Sequence, residues 1–516
     1  MTAINFGEWT PDQPLLGSGC ADAKNVIPTA RGYRPLPSLS ELSNAADARL
    51  RGIFPAKQSN GTVKLFAGDG TKLYLFGAGD SDLDNVSKSG NYTLNADEPW
   101  RFVQFGNIVI AASNSQILQS YTLGSSSLFA DVSGAPTAKY LAVVRDFVMT
   151  ANTSTSNQQV RWSGIGDSTA WAASATTQSD AQTIYGLGAI TGLVGGEVAT
   201  ILCEEGIVRG TYAGSPLVFQ FDAVETARGC AIPGSVAAIG NNTIYWSGDG
   251  FYIFDGAAST PIGTEKVDRF FADDLNIGDV DRCSAAIDPI NKLYVLAYSD
   301  GNGGSQPNKL LIYNYSLGRW SRGEVDTDIV APIYTAGYTL EELNNVSSSL
   351  DALPASLDSP LWEGGEFAFA GSDGSKISTF TGTALTSVIE TGEQALPDGQ
   401  RTLVNSVTPL VTGSPTTTVQ VLTRNRQQDD ETTTAAASVN ADGFAPVRAN
   451  GRFHRVRLNV SGTWTNAQGI DVQVQAAGLR YWPINTGDCH KMVLRLVRLQ
   501  RLLTELWTAA LMQPAA

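Results

Sequence analysis

Apolar residues in this chain fall in short runs, and three pairs of runs are joined by nearly the same loop. Val63–Phe66 and Thr71–Phe76 flank Ala-Gly-Asp-Gly, Thr243–Trp246 and Phe251–Phe254 flank Ser-Gly-Asp-Gly, and Phe367–Ala370 and Ser375–Phe380 flank Gly-Ser-Asp-Gly. Each pair reads as a β-hairpin, with Asp-Gly supplying the φ > 0 residue that a tight connection uses. The three aspartates, Asp69, Asp249 and Asp373, are read as turn-formers. A calcium loop needs several spaced acidic ligands, and each of these loops offers a single aspartate.

The same pattern recurs between them. Gly106-Asn107 opens a strand to Ala111 that returns along Gln116–Tyr121. Leu141–Thr150 pairs with Gln158–Trp162, Val198–Cys203 with Ile207–Tyr212, and Leu293–Tyr298 with Lys309–Tyr313. Seven hairpin loops, near 68, 114, 155, 205, 248, 304 and 372, predict a repeat of about 41 to 68 residues, close to the blade length of a β-propeller. The fold class expected is all-β: a six- or seven-bladed β-propeller over 51–395. The alternative is a string of unrelated β-sandwiches.

The two ends differ from the middle. Residues 1–50 carry five prolines and little periodicity, and predict an extended arm, draped over a neighbouring subunit or threaded along its own propeller. Residues 396–483 predict a small β-sandwich. Its strands are Thr402–Thr412, Thr416–Thr423, Phe453–Val460 and Gly469–Tyr481, with a polar insert at Arg424–Glu431. From 484 to 516 the spacing turns helical: Met492, Leu496, Leu499, Leu503 and Leu506 share a face, flanked by Lys491, Arg495, Arg498 and Arg501. This amphipathic helix is expected to pack on its own domain or a ring neighbour rather than lie on a membrane.

Composition narrows the function classes. Only 16% of residues are charged, so either much surface is covered by other subunits or the fold is simply a weakly charged β protein. A net charge of −15 argues against a protein that wraps or reads nucleic acid. It leaves room for a tube whose acidic wall repels passing DNA. Five scattered cysteines (Cys20, Cys203, Cys230, Cys283, Cys489) without C-x-x-C read as free thiols made in a reducing compartment. Met1–Trp9 lacks the basic start and apolar stretch of a signal peptide, and no run reaches transmembrane length.

The residues yield no catalytic site, no cofactor and no metal ligand set. His454 sits in a strand without a second ligand at metal spacing, and Cys489-His490 lacks an orienting third group. Glu204-Glu205 and Asp273-Asp274 are paired acids of the kind a glycosidase uses, but adjacent acids at turns are usually solvated. Trp162, Trp171, Trp246, Trp320 and Trp362 would line a glycan groove or pack between blades.

One region carries a resemblance. Arg161-Trp162-Ser163-Gly164-Ile165-Gly166-Asp167-Ser168-Thr169-Ala170-Trp171 runs into Ser179-Asp180-Ala181-Gln182 and Gly192-Leu193-Val194-Gly195-Gly196. Gly229, Pro233-Gly234-Ser235-Val236, Asp249-Gly250-Phe251-Tyr252 and Gly263–Arg269 follow, and Asn25-Val26-Ile27-Pro28 and Gly32-Tyr33-Arg34-Pro35 precede. In this order they resemble the tail nozzle, or tail-hub, proteins of short-tailed phages, also called packaged-DNA stabilisation or tail tubular B-like proteins. The resemblance covers most of 1–390 and part of 400–482; the helical tail has no counterpart in it. It implies a structural virion protein without enzymatic activity, assembled in the host cytoplasm. Such a protein forms a homo-oligomeric ring, a hexamer, below the portal and the adaptor or head-tail connector. It closes the DNA channel before ejection, anchors tail fibres or a needle, and lets double-stranded DNA pass without reading its sequence. The alternative is a glycan-binding or glycan-degrading propeller of the tail, and a third reading is a monomeric scaffold for host-side interactions.

Overall fold

The computed structural model describes residues 2–477 apart from Leu15, Ser18, Gly303, 397–400 and most of 339–363. The predicted helix at 484–516, with Cys489 and His490, lies outside the described residues. Six four-stranded antiparallel sheets stand free as blades. They span 52–85 (blade 1), 101–131 (blade 2), 138–183 (blade 3), 190–225 (blade 4), 237–261 (blade 5) and 330–379 (blade 7). Between blades 5 and 7, the four strands of 284–324 complete the ring as blade 6 and continue into a 15-stranded sheet. First strands of neighbouring blades lie side by side from Gly52–Lys57 and Arg101–Phe105 to Ile190–Val194, and from Ala237–Ile239 to Val330–Tyr334, which returns to Gly52–Lys57; blades 4 and 5 meet through Leu202, Ile207 and Tyr245.

All seven hairpins read from the sequence are the second and third strands of these units. Their apolar runs have a physical cause. The second strand of a blade is covered on both faces by its neighbours, so Phe147–Thr153 and Leu293–Tyr298 are buried at every position and do not alternate. Seven clusters of buried side chains among the described residues match the seven interfaces between blades. Phe66 and Val109 join blades 1 and 2, Phe147 and Val208 join 3 and 4, and Ala370 and Leu65 join 7 and 1. The largest joins blades 5 and 6 through Trp246, Phe251, Tyr294 and Trp320, and extends into the C-terminal sheet.

The Asp-Gly turns differ from expectation in detail. Only Gly374 has the positive φ predicted, at 60°. In the second loop Gly248, before the aspartate, takes φ 84°. In the first loop Asp69 makes the turn with its side chain. Its buried carboxylate accepts from the backbone N–H of Thr71 and Lys72, both at 2.6 Å, and from the Tyr74 hydroxyl at 2.8 Å. Leu141–Thr150 is likewise two strands, Ala138–Val144 and Phe147–Thr153, broken by Arg145 at φ 49°.

The arm at 1–50 runs along its own chain as five short strands; Val26–Thr29 and Gly32–Pro35 pair with each other, and the others pair with strands far along the chain, which explains its lack of periodicity. Ser40–Glu41 is the outer strand of blade 7, so blade 7 is built from both parts of the sequence and the boundary at 50 is displaced. Cys20–Lys24 runs parallel to Arg319–Glu324 and antiparallel to Ser387–Thr391, welding blade 6 to the C-terminal region. The 396–483 unit is therefore continuous with the propeller. The four strands expected there are two long ones, Thr402–Arg424 and Phe453–Ala476. The Gly413–Pro415 stretch, which read as a break, instead follows a register shift at Thr412/Gly413, where the paired strands bend without separating. Val404, Val419, Val456 and Val472 then share one core across the bend.

Gly32 fixes the arm on this ribbon. It has φ 123°, and a Cβ there would stand 2.1 Å from the Ala467 carbonyl oxygen. Gly32→Ala is expected to cost about 3 kcal/mol in urea denaturation. Gly134→Ala, at φ 76° with open space around it, should cost about 1 kcal/mol.

Candidate functional site

The blades meet at a cavity of about 360 Å³ at the end of the propeller where their first strands begin. Residues just ahead of those strands line it. Arg49 precedes blade 1, Asp97 blade 2, Arg282 blade 6 and Asp328 blade 7, and together they form one ion network. Arg49 pairs with Asp97 at 2.7 Å and Asp328 at 3.3 Å. Arg282 pairs with Asp328 at 2.5 Å and lies 3.5 Å from Asp97. Four consecutive blades are thus tied across the ring's closing point. Asp328 is buried, and burial pushes its carboxyl up while Arg49 and Arg282 pull it down. Burial also lowers Arg49, with Arg282 beside it adding to the effect.

Three further cations line the cavity from blades 1 to 3. Arg51 donates to the Asn95 carbonyl at 2.6 Å, Arg101 lies over the Tyr140 ring at 4.9 Å, and Lys139 is exposed. None has an ion-pair partner among the described residues. Glu98 is engaged by Ser115 and Asn95, and Asp281 stands exposed at the rim. The network residues were not singled out in the sequence. Their signal was positional: aligned on the hairpins, each stands two to four residues before a first strand.

The residues that were singled out lie elsewhere. Glu204 and Glu205 are exposed, and Glu204 caps the Ala189 amide at 2.9 Å. Asp273 faces Arg269 on a short helix, whereas Asp274 accepts from the Tyr298 hydroxyl at 2.9 Å. All five tryptophans are buried, with Trp246 against Phe251 and Trp320 against Tyr313, so they pack between blades and form no exposed platform. His454 is buried and bonds Thr402 Oγ1 at 2.7 Å; burial lowers its affinity for a proton. Cys20, Cys203, Cys230 and Cys283 are buried free thiols, each pushed up to about 12 by burial. No cluster of metal-ligating type occurs among the described residues.

Two other polar constellations are structural. Glu390 and Glu393, both buried, hold Arg457 at 2.6 Å and Arg424 at 2.5 Å where the linker strand meets the long ribbon. An open groove of about 660 Å³ lies nearby, lined by Arg401, Arg424 and the 432–437 segment. On the arm, Asp12 accepts from the Arg269 and Phe270 amides, both at 2.8 Å, at the start of the helix Asp268–Asp274. Beside it, burial pushes Asp268 up to about 6, and Asp12 and Asp249 add to the rise.

Replacing Asp328 with Asn leaves Arg49 and Arg282 facing each other with only the more exposed Asp97 as counter-charge. The expected loss is about 3 kcal/mol in a urea midpoint measurement. Asp268 gives a pH signature. A folded-state value above the unfolded one makes its contribution complete below about pH 4 and lost as pH rises through about 6. Asp268→Asn should therefore match the native chain in melting temperature at pH 4 and exceed it at pH 7.

No family model and no curated protein matches this chain. Among solved structures it is similar to the WD40 domain of Pan2 from Neurospora crassa, with 6% identity and a TM-score of 0.37 over 69% of this chain and 97% of that one. It is also similar to the extracellular domain of a hybrid two-component system from B. thetaiotaomicron. There the identity is 8% and the TM-score 0.40, over 81% of this chain and 58% of that one.

Proposed function

We propose that this chain is a structural assembly subunit, the nozzle or tail hub of a short-tailed phage, working in a homo-oligomeric ring below portal and adaptor. The observation that carries the assembly part is the distribution of exposed apolar side chains. Leu128, Ile165, Leu217, Ile290, Leu317 and Tyr334 all lie in turns or strand ends on the face opposite the axial cavity. They are spread over five of the blades. Tyr185 and Ile277, the two most exposed of this kind among the described residues, lie instead at the cavity end, so both faces of this weakly charged protein carry large apolar side chains, which favour burial against other subunits. The turn-rich segments of the resemblance favour the nozzle over other ring proteins, and they carry the phage part of the reading. The buried tryptophans weigh against the glycan-binding alternative.

Mass photometry and electron microscopy of the purified chain, mixed with portal and adaptor proteins encoded beside it, test this reading. Rings that dock on the adaptor are expected, and the double variant Leu217→Asp/Leu317→Asp should release monomers with unchanged circular dichroism. A chain that stays monomeric in every mixture, and binds or cleaves surface polysaccharide, would sink the proposal.

A further inference from the structure

We propose that the axial cavity binds a small polyanion, a compound carrying two or more phosphate or carboxylate groups. The proposal stands apart from the assembly reading, because the cavity opens on the opposite face from Leu217 and Leu317.

The volume of about 360 Å³ suits a small molecule. The lining carries five cationic side chains and four carboxylates in a chain of net charge −15, so this spot runs against the overall field. Arg49 and Arg282 are neutralised by Asp97 and Asp328. That leaves Arg51, Arg101 and Lys139, carried by three successive blades, as uncommitted cations. The Nε atoms of Arg51 and Arg101 are buried without a hydrogen-bond partner, so both guanidinium groups are incompletely satisfied, and a bound oxyanion would relieve this after a small shift of the side chains. The opposing carboxylates are accounted for. Glu98 Oε1 accepts from the Ser115 amide at 2.6 Å and Oε2 from the Asn95 amide at 3.0 Å, so both oxygens are held by two neighbouring loops, and the three cations still outnumber the unpaired carboxylates. Asp281 is exposed at the rim and opposes an incoming anion. Tyr140, under the Arg101 guanidinium, gives the site a flat apolar wall.

Isothermal titration calorimetry on the full chain, at constant ionic strength, tests this with pyrophosphate, citrate and a neutral disaccharide as probes. One equivalent of pyrophosphate or citrate is expected to bind, and the disaccharide none. A preference for pyrophosphate assigns phosphate groups to the ligand; a preference for citrate assigns carboxylates. Lys139→Gln, at an exposed position that tolerates change, should weaken binding about tenfold. Asp281→Asn should strengthen it, and Arg101→Gln should abolish it. Opposite signs from two surface variants exclude a mere folding defect. Absence of heat with both anions at millimolar concentration would overturn the proposal, as would equal affinity in native, Lys139→Gln and Asp281→Asn proteins. Capture of only an acidic protein loop at this face would also overturn it. None of these outcomes depends on whether the chain forms rings.

Discussion

A β-propeller has to close. Each blade here buries both faces of its second strand against neighbours, so a ring left open at one joint would expose two apolar faces at once. The joint is made from distant parts of the chain. Blade 7 takes three strands from 330–379 and its fourth, Ser40–Glu41, from the N-terminal arm. The arm stays paired beyond that strand: the amides of Leu42 and Ser43 both donate to the Ile377 carbonyl, Ala46 to Ser375 and Leu50 to Gly374. It then enters blade 1 directly. The hydrophobic joint is non-directional, whereas this hydrogen-bonded seam sets its register.

The charged network on the axis belongs to the same closure. Arg49, Asp97, Arg282 and Asp328 stand on blades 1, 2, 6 and 7, the four units around the joint. Buried ion networks add little net stability, because desolvation opposes the Coulomb term. What they impose is geometry, since a misaligned blade would strand a half-buried charge. The axis at this end of the propeller is therefore polar and fixed. The arm adds a second weld, because the Arg322 guanidinium grips Asp22 at 2.8 and 2.9 Å and binds blade 6 to the C-terminal sheet.

The propeller was legible because its central hairpins have no choice of pattern. Strands covered on both faces must be apolar throughout, and the turn between them must be short and polar, so all seven could be counted. The arm was illegible for the complementary reason. Its strands have five residues or fewer and, apart from the hairpin Val26–Thr29 with Gly32–Pro35, pair with strands hundreds of positions away, so no local period records them. The long C-terminal strands misread as four because Gly413 and Pro415 carry the same local chemistry in a bend as in a turn. The axial site stayed hidden because its four ion-pairing residues are 46 to 279 positions apart. Only the ring brings them together. The aromatic set shows the converse: Trp320 and Trp246 were visible at once, and burial gives them a packing role.

If closure by the arm holds the ring together, its seam should open only when the whole propeller does. Native-state hydrogen exchange reads this directly at the amides of Leu42, Ser43, Ala46 and Leu50. The account predicts that these amides exchange as slowly as those of the buried strand Phe147–Thr153, and that both share one denaturant dependence. Rapid exchange at the four seam amides, with blade 3 still protected, would mean the ring stands without its arm and would contradict the account.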